Sequence, residues 1–119
     1  MTSDFLSPLE VRLLPEVEGD SYWQLINPLI YKSDLVGVII VPSGFVTNFV
    51  SFAPLKNLGQ RAATIHDYLY SIPEFPRKLA DQILEEALNV TVYDPDLARN
   101  MYFAVRVFGG KHKKRREEK

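Results

Sequence analysis

The chain has 119 residues, which is enough for one domain with a buried core, and 46% of them are hydrophobic, an ordinary share for a soluble fold. The absence of cysteine excludes disulfides, thiolate metal sites and a cysteine nucleophile. We expect neither a transmembrane segment nor a signal peptide, because no apolar run approaches roughly 20 residues and the first six residues lack a basic region before an apolar core.

The formal net charge of −1 conceals a basic C-terminal end. Residues 111–119 contain six Lys or Arg and two Glu, a net charge of +4, which leaves −5 for residues 1–110. We predict a single globular domain over residues 1–110 and a solvated basic tail over residues 111–119. Contact of this tail with nucleic acid is an alternative, which the lack of aromatic residues in the tail disfavours.

The first half of the chain is predicted to form strands. Pro28 interrupts one of these segments, and because proline cannot donate a hydrogen bond to a neighbouring strand, it indicates a sheet edge or a bend. Pro42-Ser43-Gly44 predicts a tight turn. The strand segments are rich in β-branched and aromatic residues, and they span 11–14, 22–31, 36–41 and 45–49.

The second half is predicted to form three helices. The first spans 60–72 with Asn57 as a candidate cap, the second has Pro76 in its first turn, and the third runs from the Asp94 cap to Phe108. The third helix is apolar on most sides, so we expect it to be central and buried. Strands followed by helices indicate the α+β class, with a small N-terminal antiparallel sheet followed by three packed helices.

His66 and Asp81 are the candidate catalytic residues. They border the apolar stripes of the first and second helices, and the short connection between these helices makes them neighbours. Histidine titrates near neutral pH, and a carboxylate partner can fix its tautomer so that it acts as a base. The alternative is a buried structural hydrogen bond with no chemistry.

Arg106 is a charged residue of the third helix that is surrounded by apolar neighbours. A buried arginine needs an anionic partner, and Asp67 and Asp81 are the candidates. We favour a lock between arginine and aspartate that orients three helices, with or without catalysis beside it. The predicted structural network also includes Tyr70, Tyr102, Asn48 and Ser51.

Metal binding has one candidate ligand. Asp67 could contribute to a site for an oxygen-coordinated ion such as calcium. No two histidines have the spacing of a zinc site, and no glycine-rich loop that would hold a phosphate is present, so we expect no other cofactor.

The order of several short motifs resembles a family of small proteins found mainly in tailed bacteriophages and prophages, the domain-of-unknown-function family thirteen fifty-three. The resemblance covers roughly residues 36–110 and implies a phage context. The family pattern has Asp at the position of Asn48, so a role of that acid in metal binding or catalysis would be missing here. The motifs are Val41-Pro42-x-Gly44-Phe45-x-Thr47, Ser51, Pro54, His66-Asp67-x-x-Tyr70, Ala80-Asp81, Tyr102, Val105-Arg106 and Phe108-Gly109.

The first two helices also resemble, more loosely, the helix pair of secreted phospholipases A2. In those enzymes a histidine activates water, the next residue binds calcium, and an aspartate on the second helix orients the histidine. The similarity implies that His66 is the base, Asp67 the calcium ligand and Asp81 the orienting residue. This chain departs from the pattern because it has no cysteines to connect the helices and no glycine-rich calcium loop.

Three functions fit these observations. The favoured one is a bacteriophage virion structural or assembly component that acts through contacts with other phage proteins, in the host cytoplasm and in the virion. The second is a small His/Asp-dependent hydrolase, assisted by calcium, that acts on host envelope lipid or cell wall. The third is an early phage protein that binds and inhibits a host protein. The missing nucleophile and incomplete metal shell favour binding over catalysis.

Overall fold

The computed structural model describes residues 3–47 and 59–109. Short strands come first and three helices follow, which confirms the predicted α+β class. Asn57 and the tail over 111–119 lie outside the described residues. The elements are β1 (Asp4–Phe5), β2 (Val11–Leu13), β3 (Trp23–Leu25), β4 (Leu29–Ser33), β5 (Gly37–Val41), β6 (Val46–Thr47), α1 (Gln60–Tyr70), α2 (Arg77–Thr91) and α3 (Pro95–Phe108).

The described strands form two antiparallel sheets of three strands each. One has the order β1-β4-β5 and the other the order β2-β3-β6. Pro28 lies between β3 and β4, where the chain leaves one sheet and enters the other. The segment predicted over 22–31 is therefore two strands in two sheets, and the predicted bend at Pro28 is confirmed.

Strands β4 and β5 provide the surface on which the helices pack. Leu29 pairs with Val41 and Tyr31 pairs with Ile39 across the two strands, and all four side chains are buried. Helix α1 packs against β5, and α2 packs against β4. The Tyr31 hydroxyl donates to Glu86 Oε1 of α2 at 2.6 Å, which adds a polar connection between sheet and helix.

The turn after β5 agrees with the sequence prediction. The Phe45 N–H donates to the Pro42 carbonyl at 3.3 Å, and Gly44 has a φ of 90°. That region of backbone conformation is open mainly to glycine. The turn leads the chain into β6, which pairs with β3 of the other sheet.

The helix boundaries differ slightly from the prediction. Helix α1 ends at Tyr70, and α2 begins at Arg77 because Pro76 has extended backbone angles and is the cap rather than the first helical residue. Helix α3 begins as predicted, with the Asp94 carboxylate accepting from the Leu97 N–H at 3.1 Å. None of the helices in the described part of the chain is long and apolar enough to cross a membrane.

The expectation that α3 is central and buried is wrong. This helix packs mainly against α2, with Ala98, Met101 and Val105 buried. The last two turns of its other face are apolar as well, and these side chains are exposed, so the sequence pattern alone did not distinguish the two faces. We call the exposed residues of the last two turns the outer patch: Phe103 (54% exposed), Val107 (72%) and Phe108 (74%).

Candidate functional site

Asp81 is the centre of a hydrogen-bonded cluster that joins the three helices. Its carboxylate has no exposed surface. Oδ1 lies 2.7 Å from His66 Nε2 and accepts from the Tyr70 hydroxyl at 2.6 Å, and both of these residues belong to α1. Oδ2 lies 2.9 Å from Arg106 Nη1 on α3 and 3.7 Å from Arg77 Nη1 on α2. We call these five residues the Asp81 cluster.

Helical spacing explains why these side chains meet. His66 and Tyr70 are four residues apart on α1, so they share a face, and their ring centroids lie 4.2 Å apart. Arg77 precedes Asp81 by the same interval on α2. The short connection between α1 and α2 brings the end of one helix beside the start of the other.

The cluster holds an ionised carboxylate surrounded by donors. Burial by itself would raise the pKa of Asp81, but hydrogen bonds from His66, Tyr70 and Arg106 outweigh that effect and hold the pKa below its ordinary value of 3.8. An ionised carboxylate only accepts hydrogen bonds, so His66 Nε2 carries the proton that it shares with Asp81. Burial and the neighbouring carboxylate raise the pKa of Tyr70 above its ordinary value, which keeps its hydroxyl a donor.

The same cluster fixes the C-terminal end of α3. Arg77 Nη1 donates to the Val105 carbonyl at 3.1 Å, and both Nη atoms donate to the Arg106 carbonyl at 3.3 Å. Carbonyl groups in the last turn of a helix need such partners. Gly109 packs closely against Tyr70. A Cβ atom at residue 109 would lie only 2.6 Å from the tyrosine hydroxyl, so the contact requires glycine.

The environment of His66 is closed. Its side chain is 4% exposed, and among the described residues no buried side-chain nitrogen or oxygen lacks a hydrogen-bond partner. One cavity among the described residues, of about 520 Å³, has Leu9, Arg61 and Val92 in its wall and is not lined by His66. A general base needs contact with the water or substrate that it deprotonates. The geometry therefore favours a structural role for the cluster.

A family model described as "Protein of unknown function (DUF1353)" matches residues 23–105. The chain belongs to this family. The match begins at β3 and ends one residue before Arg106, so it contains the other four residues of the Asp81 cluster. A search of curated proteins and a search of solved structures gave no match.

In this DUF1353 chain, the predicted contacts of Asp81 with His66 and Arg106 are present. Arg106 is not fully buried as the sequence suggested, since 29% of its side chain is exposed. Asp67 is half-buried on α1 and is not one of the four described partners of Asp81. The catalytic and metal-binding roles of these residues stay predictions.

The other predicted residues of the structural network are Tyr102, Asn48 and Ser51. Tyr102 is half-buried, and the Arg99 guanidinium lies 5.3 Å from the centre of its ring. Asn48 and Ser51 fall within the range that the structure does not describe. Arg77 was not predicted, although its spacing of four residues before Asp81 was a signal in the sequence.

Calcium has no complete set of ligands in the described ranges. No group of three or more His, Asp or Glu side chains there could hold a metal ion. Calcium takes about six to eight oxygen ligands, and Asp67 would supply one or two of them. We therefore derive no step through a metal ion, and calcium binding by Asp67 stays a prediction.

Proposed function

We propose that this protein is a bacteriophage virion structural or assembly component that acts through contacts with other phage proteins. The phage setting rests on the motif resemblance described above. The contact surface is proposed from an exposed apolar face on and before β5. This face, which we call the β5 face, consists of Leu35, Val36, Val38 and Ile40.

The β5 face follows from the alternation of a strand. Ile39 and Val41 point into the core, so Val38 and Ile40 point to the opposite side, where they are 58% and 53% exposed. Among the described strands, β5 ends its sheet. Contiguous exposed apolar patches are typical of protein interaction sites. The β5 face is the observation that carries the proposal.

The Asp81 cluster supports a role in binding rather than catalysis. His66 is closed off from solvent, and both oxygens of Asp81 are engaged by groups from the three helices. Such a cluster holds α1, α2 and α3 in register behind the sheet that carries the β5 face. A rigid scaffold reduces the conformational entropy that is lost when a partner binds.

The experiment measures incorporation into particles of the phage or prophage that carries the gene. Particles are purified by density gradient, and the protein is quantified in the particle fraction. The double variant Val38→Lys and Ile40→Lys should lose incorporation and lower the particle yield. The matched control places the same lysines at Leu13 and Val17, which are 58% and 56% exposed. Absence of the wild-type protein from particles, with unchanged particle yield after gene deletion, would reject the proposal.

The 2.7 Å contact between His66 and Asp81 is the observation that favours a hydrolase instead. A hydrolase and a virion component predict opposite results for the His66→Gln variant and for the Val38→Lys and Ile40→Lys double variant. A hydrolase would lose function in a folded His66→Gln variant and keep it in the β5 face variant. An early inhibitor of a host protein would form a soluble complex during infection and stay out of particles.

A further inference from the structure

The hydrogen bonds of β4 show which way the backbone of β5 points. The Ile30 carbonyl accepts from the Leu6 N–H, and the Ile30 N–H donates to the Ser7 hydroxyl oxygen, both at 2.8 Å. The backbone groups of Ile30 therefore face β1. Successive residues of a strand face alternate neighbours, so Tyr31 faces β5 and exchanges hydrogen bonds with its partner Ile39.

Val38 and Ile40, on either side of Ile39, turn their N–H and C=O groups away from β4 by the same alternation. No described strand pairs with this side of β5. Natural proteins usually protect such an edge with a charged side chain, a proline or a bulge. Gly37–Val41 has no charged residue and no proline, and its pairing with β4 runs without a bulge. Within the described ranges, the edge is therefore open to pairing with a further strand.

We infer that β5 pairs antiparallel with β5 of a second copy of this chain, across a two-fold axis at Ile39. Val38 of each copy exchanges backbone hydrogen bonds with Ile40 of the other copy, and the three strands of each sheet join into one sheet of six. The two β5 faces then lie next to each other on one side of the joined sheet. This self-association goes beyond the proposed function, which concerns contacts of the β5 face with other phage proteins.

The residues around β5 select this register. An axis at Ile40 would place Val38 opposite Pro42, which has no N–H to donate. An axis at Val38 would place Ile40 opposite Val36, which lies in the turn before β5. Only the axis at Ile39 keeps both hydrogen-bonded pairs within the strand.

The composition and length of β5 favour a weak symmetric dimer. A charged residue near a two-fold axis would approach its own copy, and Gly37–Val41 contains none. The contact is small, because a strand of this length extends only about 17 Å. Such a strip falls short of the roughly 800 Å² on each partner that a stable complex buries. We therefore expect a reversible dimer with a dissociation constant in the micromolar range.

Sedimentation velocity of the purified full chain over a concentration series measures this equilibrium without any phage protein, so the result does not depend on the proposed function. Ile40→Pro removes an N–H at the open edge and no bond to β4, and it should raise the dissociation constant about tenfold or more. The matched control is Leu13→Pro, at the edge of the other sheet. The Leu14 N–H donates to the Tyr22 carbonyl, so the Leu13 N–H points away from β3, and Leu13 is 58% exposed. Thermal melts establish that both variants are folded.

Cysteine cross-linking tests the register in strands without proline. The chain has no cysteine of its own. In the inferred pairing, Val38→Cys of one copy lies about 5.5 Å from Ile40→Cys of the other between Cα atoms, which a disulfide can bridge. Two copies of the same variant would place their cysteines about 8 Å apart, which is too far. Mild oxidation should therefore cross-link a mixture of the two variants and neither variant alone.

A chain that stays monomeric at every concentration would overturn the inference. Equal weakening of the dimer by Ile40→Pro and Leu13→Pro would also overturn it, because the contact would then not lie at β5. Cross-linking of the mixture that is no greater than that of either variant alone would contradict the pairing of Val38 with Ile40.

Discussion

Arg106 Nη1 lies 2.9 Å from Oδ2 of Asp81 and connects the last turn of α3 to the start of α2. The two ends of this pair have different environments. The Asp81 side chain has no exposed surface, whereas 29% of the Arg106 side chain is exposed. Asp81 also keeps hydrogen bonds from His66 and Tyr70 when Arg106 is removed. The aspartate is therefore the more sensitive end of the pair.

Asp81→Asn should lower the free energy of unfolding by about 3–5 kcal/mol, because it removes the shared anion and leaves its buried donors poorly matched. Arg106→Ala should cost less, about 1–3 kcal/mol, since the remaining donors still satisfy Asp81. Urea unfolding of both variants measures the two costs.

The control for these two variants is Arg99→Ala. Arg99 pairs with Glu85 at 2.9 Å, but 57% of its side chain is exposed, so its loss should cost about 0–1 kcal/mol. If Asp81→Asn were no more destabilising than Arg99→Ala, Asp81 would not be the centre of the helix packing.

The acid sensitivity of the fold should depend on Asp81. Its pKa in the folded protein lies below the value of about 3.9 that an unfolded chain gives. The stabilising contribution is therefore complete well above this unfolded value and is lost as pH falls through the lower folded pKa. The difference in unfolding free energy between wild type and Asp81→Asn should be constant above about pH 5 and should shrink below about pH 4. Urea unfolding across this range measures it, and a difference that grows in acid would contradict the assignment.

The contact between Gly109 and Tyr70 predicts a specific steric effect. A methyl group at residue 109 would lie 2.6 Å from both the Tyr70 hydroxyl and the Val105 carbonyl oxygen. Gly109→Ala should therefore destabilise the fold by about 1–3 kcal/mol. The cost should be smaller in a Tyr70→Phe background, which removes one of the two clashes, and a double-mutant cycle of thermal or urea unfolding measures this coupling. Simple additivity of the two changes would show that the end of α3 is not packed on Tyr70.

Much of this fold was predictable because its signals are local. The cap at Asp94, the turn at Gly44 and the break at Pro28 each depend on the backbone chemistry of one residue. The contact of His66 with Asp81 was predictable because two helices joined by a short connection must be neighbours.

The other features depend on tertiary packing. The division of the strands into two sheets requires long-range pairing, and the two-residue strand β1 (Asp4–Phe5) has too little pattern to be recognised. Helix α3 has apolar residues on both faces, so its sequence did not show which face α2 would cover. Arg77 escaped prediction because a charged residue in the first turn of a helix is usually solvated.

We propose that the Asp81 cluster stabilises the fold and does not catalyse a reaction. His66→Gln tests it most directly, because glutamine keeps some hydrogen bonding but cannot serve as a base near neutral pH. We expect the variant to lose about 1–3 kcal/mol of unfolding free energy through an imperfectly satisfied buried partner. Particle yield, measured at a lowered temperature where the variant is folded, should equal that of wild type. An unchanged free energy of unfolding together with abolished particle yield or hydrolytic activity would contradict the claim.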